Sequence, residues 1–99
     1  MAKVSFTIKS NATHQSVFVL PVAKPGSGKF VKLKKKDGAR SGAIELDAGK
    51  HQYLMRLEAG APNGKWSLVV QRDDKTPVER EGKLDADGNG GEIGQVTVL

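Results

Sequence analysis

Seven basic residues, Lys24, Lys29, Lys32, Lys34, Lys35, Lys36 and Arg40, fall within seventeen consecutive positions. Clusters of this density are what binds phosphate backbones. If residues 30–35 form a strand, alternation sets Lys32, Lys34 and Lys36 on one face while Val31 and Leu33 turn to the core. Lys29, Lys32, Lys34, Lys36 and Arg40 are then candidate contacts for an acidic or polyanionic partner, nucleic acid included. Nucleic-acid modules usually add aromatic platforms or base-reading polar side chains, and only Phe30 lies nearby. The competing reading is an edge strand whose lysines keep sheets from pairing edge to edge.

Two glycine-bearing loops invite comparison with ion-binding motifs. Gly26-Ser27-Gly28-Lys29 resembles the end of a phosphate-binding loop, but that motif needs an earlier glycine where Ala23 stands and Ser or Thr where Phe30 stands. No helix is expected after it to aim amide N–H groups at a phosphate, so a plain connecting loop is the expectation. Asp85, Asp87, Asn89 and Gly90 fit the first ligand positions of a calcium loop, yet Val96 occupies the place of its closing bidentate glutamate. A polar turn is expected there, with Asp85, Asp87 and Asn89 as a weak metal candidate. His14 and His51 are the only histidines, there is no cysteine, and no Ser, His and carboxylate spacing suggests a triad. No enzyme activity and no cofactor are expected.

Trp66 is the single tryptophan. An exposed indole stacks well on a sugar ring or a base, which makes Trp66, with Lys65 and Asn63 beside it, a candidate ligand site. Leu68 and Val70 share its face on a strand, so a core position is the other reading.

The elements that must position these groups are strands. Val4, Phe6 and Ile8 alternate with Ser5, Thr7 and Lys9; Tyr53, Met55 and Leu57 alternate with Gln52, Leu54, Arg56 and Glu58; Trp66, Leu68 and Val70 repeat the pattern. Residues 16–22 form a continuous apolar run that predicts a strand buried on both faces. Shorter strands are expected at 30–35, 43–46, 78–81 and 93–99, divided by turns at Pro25-Gly26, Asp37-Gly38, Asp47-Ala48-Gly49, Pro62-Asn63-Gly64 and Asp87-Gly88. Nothing reads as a helix. About seven short strands predict an all-β, immunoglobulin-like antiparallel sandwich in a single domain over 1–99, with a small β-barrel as the alternative.

The segment running from Leu46-Asp47-Ala48-Gly49 through Tyr53 to Leu57, followed by a hairpin and Trp66, resembles the early-set immunoglobulin-like domains of carbohydrate-binding module family 48, which include the glycogen-binding domain of the AMP-activated protein kinase β subunit. The resemblance implies a β-sandwich and an α-glucan ligand held at Trp66. The chain departs from the family where no tryptophan precedes Trp66, where Leu54 replaces a lysine, and where Gly91-Glu92 replaces a pair of asparagines. A module kept for protein contacts accounts for those losses equally well.

Composition sets the remaining bounds. Absence of cysteine removes disulfides and thiolate sites and fits a reducing compartment. With no apolar run long enough for a signal or a membrane span, a cytoplasmic protein without membrane contact is expected. The net charge of +5 divides unevenly: residues 1–40 hold nine bases and one acid, residues 41–99 seven bases and ten acids. Such halves attract each other within one fold, bind a charged partner, or join copies head to tail. The functional expectation is a binding module for carbohydrate, with protein interaction or self-assembly by charge complementarity, and polyanion binding, as alternatives.

Overall fold

A strand with apolar side chains at every second position must bury one face, and residues 4–8, 53–57 and 66–70 carry that pattern most plainly. The computed structural model, which describes residues 2–73 and 75–99, builds strands on all three. The described residues form β1 (Ala2–Lys9), β2 (His14–Pro21), β3 (Lys29–Phe30), β4 (Lys34–Lys36), β5 (Ala39–Leu46), β6 (Gly49–Glu58), β7 (Lys65–Arg72), β8 (Val78–Lys83) and β9 (Gly90–Val98). One short 3-10 turn, Pro25–Ser27, lies between β2 and β3. Among the described residues no helix is long and apolar enough to cross a membrane.

The strands make two antiparallel sheets, in the orders β4-β5-β1-β7-β8 and β3-β2-β6-β9, and these do not close into a barrel. The architecture is an all-β sandwich. Taken in reverse, β7-β1-β5-β4 and β9-β6-β2-β3 follow the A-B-E-D and G-F-C-C′ strand orders of immunoglobulin sandwiches, with β7 in the place of strand A. The β7–β8 hairpin therefore falls in sequence between the equivalents of F and G.

The core lies between the sheets. Val4, Phe6 and Ile8 from β1 and Leu68 and Val70 from β7 face Val17 and Val19 from β2 and Tyr53, Met55 and Leu57 from β6. The rings of Phe6 and Tyr53 meet edge to face across the gap, 5.5 Å between centroids. Each fully buried apolar side chain of this size contributes roughly 1.5–3 kcal/mol, so the matched alternation on β1, β6 and β7 fixes their register. At the start of β6, Nε2 of the buried His51 donates to the Asp47 carbonyl oxygen at 2.8 Å. That bond ties the strand to the preceding turn, the task a tyrosine performs at the matching corner of immunoglobulin domains.

Two expectations fail. The stretch 30–35 is not one strand: β3 belongs to one sheet and β4 to the other, and residues 31–33 cross between them. The crossing is held by Val31, buried, and Leu33, partly buried, which fill the gap between the sheets, and by the Val31 N–H donating to the Val17 carbonyl at 2.9 Å. The strand over 16–22 is not buried on both faces either. Val17 and Val19 are buried, while Phe18 and Leu20 on the opposite face are only partly covered.

Candidate functional site

The uncovered face of β2 belongs to a larger feature. Register sets Phe30 of β3 beside Phe18 of β2, Phe18 beside Leu54 of β6, and Leu54 beside Ile93 of β9. Four apolar side chains thus make one row across the full width of the β3-β2-β6-β9 sheet, on the side away from the core. Phe30 is 67% and Ile93 70% exposed. The Phe18 and Phe30 rings pack edge to face at 4.8 Å, and Leu20 extends the row by one position along β2. Gln52 and Gln95 border it on one side; Ser16 and Arg56 border it on the other. Arg56 pairs with Glu58 at 3.3 Å, the one ion pair among the described residues.

Sequence reasoning placed no site here. The sequence carries ambiguous signals for it: Phe18 and Leu20 belong to the apolar run of residues 16–22, and Leu54 stands on the otherwise polar face of residues 52–58. Contiguous exposed apolar surface is uncommon on a folded domain unless something covers it, and the aromatic pair at the β3 end of the row is of the residue type that often carries binding energy.

The candidate ligand residues Trp66, Lys65 and Asn63 do not converge. Trp66 is 7% exposed and turns inward with Leu68 and Val70. Its indole lies across Gly82 of β8, where no space remains for a Cβ. The ring is almost wholly covered, and Trp66 is a core residue between β8 and β9 that only reaches the shallow groove lined by Lys65 and its neighbours. Lys65 points outward into a shallow groove with Lys9, Lys83, Ser67 and Glu81. Asn63 sits in the β6–β7 turn at φ 60°, its N–H donating to the Asp85 carbonyl at 3.1 Å.

The basic cluster is likewise divided. Lys29 is on β3, Lys34 and Lys36 are on β4 in the opposite sheet, and Lys32 lies in the crossing segment. The Arg40 guanidinium donates to the Thr13 carbonyl at 3.1 Å. The predicted single stripe is replaced by an exposed basic flank along β3 and β4, with β4 an edge strand of three lysines. Such lysines discourage edge pairing.

The polar atoms of the 85–90 turn are used within the fold. Asp85 Oδ1 accepts from the N–H groups of Asp87 and Asn89 at 2.9 and 3.0 Å, and Asn89 Oδ1 accepts from the Ala59 N–H at 3.3 Å. Gly88, at φ 79°, presses against Gly60 so closely that any side chain would meet the Gly60 backbone. Among the described residues no group of three or more His, Cys, Asp and Glu comes together to hold a metal. Gly26 and Ser27 lie in the 3-10 turn, so the loop that resembled a phosphate site is a β2–β3 connection. His14 is exposed at the start of β2. The Tyr53 hydroxyl donates to Glu92 at 3.2 Å, and burial, reinforced by the Glu92 charge, pushes its pKa up to about 12.

No known protein family, curated protein or solved structure matches this chain.

Proposed function

We propose that this chain is a non-catalytic protein-interaction module that docks through the outer face of the β3-β2-β6-β9 sheet. The observation that carries the reading is the unbroken row Phe30, Phe18, Leu54 and Ile93, exposed to water at both ends. Leaving such groups in water forgoes about 25 cal/mol for each Å² that a partner would cover. The rim supports the same reading. Gln52, Gln95 and Ser16 are uncharged and Arg56 is neutralised by Glu58, as expected where charge is depleted at an interface centre.

The test is site-specific photo-crosslinking. A photoreactive residue in place of Gln95, at the border of the row, should capture a defined protein species in extracts of the source cell. Leu54→Lys should abolish the capture, and Thr7→Lys on the outer face of the other sheet should leave it intact. Equal capture by all three proteins would refute the reading.

A further inference from the structure

The row and the charge distribution together specify a partner. Residues 1–38 supply β1 to β4 and residues 39–99 supply β5 to β9, so the uneven charge of the sequence becomes a spatial one. One flank of the sandwich, at β3 and β4, carries Lys29, Lys32, Lys34, Lys35 and Lys36. The opposite flank, at β8, β9 and the turn between them, carries Glu79, Glu81, Asp85, Asp87 and Glu92 alongside Arg80 and Lys83. The attraction between these groups is not spent inside the fold, because the one ion pair among the described residues joins Arg56 to Glu58 on a single strand.

We infer that the occupant of the apolar face is a second copy of this chain, packed face to face about a twofold axis parallel to the strands. This rests on the interaction reading above and narrows it. Such an axis keeps each residue at its level along the strands and reverses the strand order, so β6 of one copy covers β2 of the other and β9 covers β3. At the level of the row, Leu54 then meets Phe18 of the second copy and Ile93 meets Phe30, an aliphatic group against an aromatic one at every step. At neighbouring levels Arg56 meets Ser16, Glu58 meets His14 and Gln52 meets Leu20. No like charges oppose each other, and the β3 edge of each copy, with Lys29 and Lys32 beside it, adjoins the β9 edge of the other, which carries Glu92, while β4 and β8 lie in the sheets farther from the interface. A twofold axis along the row would instead set β3 on β3, bringing Lys29 and Lys32 of both copies together.

The face has the size of a weak, concentration-dependent interface. β2, β6 and β9, about 4.8 Å apart and eight to ten residues long, with the two-residue β3 at their edge, present on the order of 450 Å² per copy. Both copies together then bury ~900 Å², close to the ~1,000 Å² lower bound for a specific interface. Twisted sheets pack face to face with their strand directions about 30° apart.

The experiment uses the full chain, in which the absence of native cysteine leaves any introduced thiol alone. Sedimentation equilibrium over a concentration series should show a monomer–dimer equilibrium, and Ile93→Lys should weaken it at least about tenfold with circular dichroism and thermal midpoint retained. Mixing Phe30→Cys protein with Ile93→Cys protein in the presence of a short bismaleimide should give a mixed crosslinked dimer, while either alone should remain largely uncoupled; facing sheets lie about 10 Å apart, beyond the reach of a direct disulfide. A strictly monomeric chain would overturn the inference, and so would coupling of Phe30→Cys with itself in preference to Ile93→Cys. Monomeric behaviour combined with Leu54-dependent capture of a foreign protein would reject self-pairing while keeping the interaction reading. Monomeric behaviour without any capture would reject both.

Discussion

The two outer faces of the sandwich are built from the same kind of strand but differ in what they offer. On the β4-β5-β1-β7-β8 sheet the outward positions include Ser5, Thr7, Ser41, Ala43, Ser67 and Val69, fringed by charges of both signs: Lys3, Lys9, Lys34, Lys36, Lys65 and Lys83 with Glu45, Glu79 and Glu81. On the β3-β2-β6-β9 sheet the central outward row is wholly apolar. Small hydroxyl side chains and charges of both signs leave the first face hydrated. The second face gains by being covered. On the proposed reading, the contrast separates a surface that maintains one folded unit from a surface that joins it to another.

The comparison breaks most visibly within β6, whose two faces serve the core and the docking row. Leu57→Ala, at a fully buried position, should cost about 2–5 kcal/mol in urea unfolding. If it costs no more than a change at Leu54, the assignment of inner and outer faces is wrong. Gly82→Ala should be next, at about 1–3 kcal/mol, because the added methyl meets the Trp66 indole. The same substitution should perturb Trp66 emission, whereas a maltoheptaose titration of the native chain should leave that emission unchanged.

A pH titration sharpens the inner side of the comparison. Tyr53 is the single tyrosine, so ultraviolet difference absorption reports it alone. Its folded pKa of about 12 lies above the unfolded value of 10.0, chiefly through burial and then through Glu92. The protonated phenol is therefore favoured by folding. Its contribution is complete below the unfolded pKa and is lost as pH rises from about 10 through about 12. Tyr53→Phe should flatten the loss of stability across that window. The smallest effect belongs to the hydrated face: Thr7→Lys should shift stability by within about 0.5 kcal/mol and leave association unchanged. Loss of association in Thr7→Lys would place the docking surface on the wrong sheet.

Much of the architecture was legible because burial imposes a period of two. β1, β6 and β7 follow from Val4-Phe6-Ile8, Tyr53-Met55-Leu57 and Trp66-Leu68-Val70, and the turns at Asp37-Gly38 and Asp87-Gly88 fall where glycine occupies positive φ. β5 begins at Ala39 instead of residue 43, since Ala39, Arg40, Ser41 and Gly42 carry no apolar alternation and are held by backbone pairing to β1 and β4. The predicted basic stripe failed for a related reason. Periodicity describes a strand but not the sheet it joins, and the chain changes sheets between Phe30 and Lys34.

The apolar row was hidden by the same ambiguity. A run such as Val17-Phe18-Val19-Leu20 looks alike whether its second face is covered by the chain itself or left for a partner. Leu54 and Ile93 have no neighbours in sequence that announce them; they meet Phe18 only through the register of three strands. The sequence by itself determined the strand alternation, the glycine turns and the division of charge between the halves, because each depends on local geometry or on composition. Tertiary structure alone decided that Trp66 is covered, that the lysines divide between two sheets, and that four distant apolar residues form one surface. Those outcomes depend on which strand lies beside which, and that is fixed by the burial of the whole core at once.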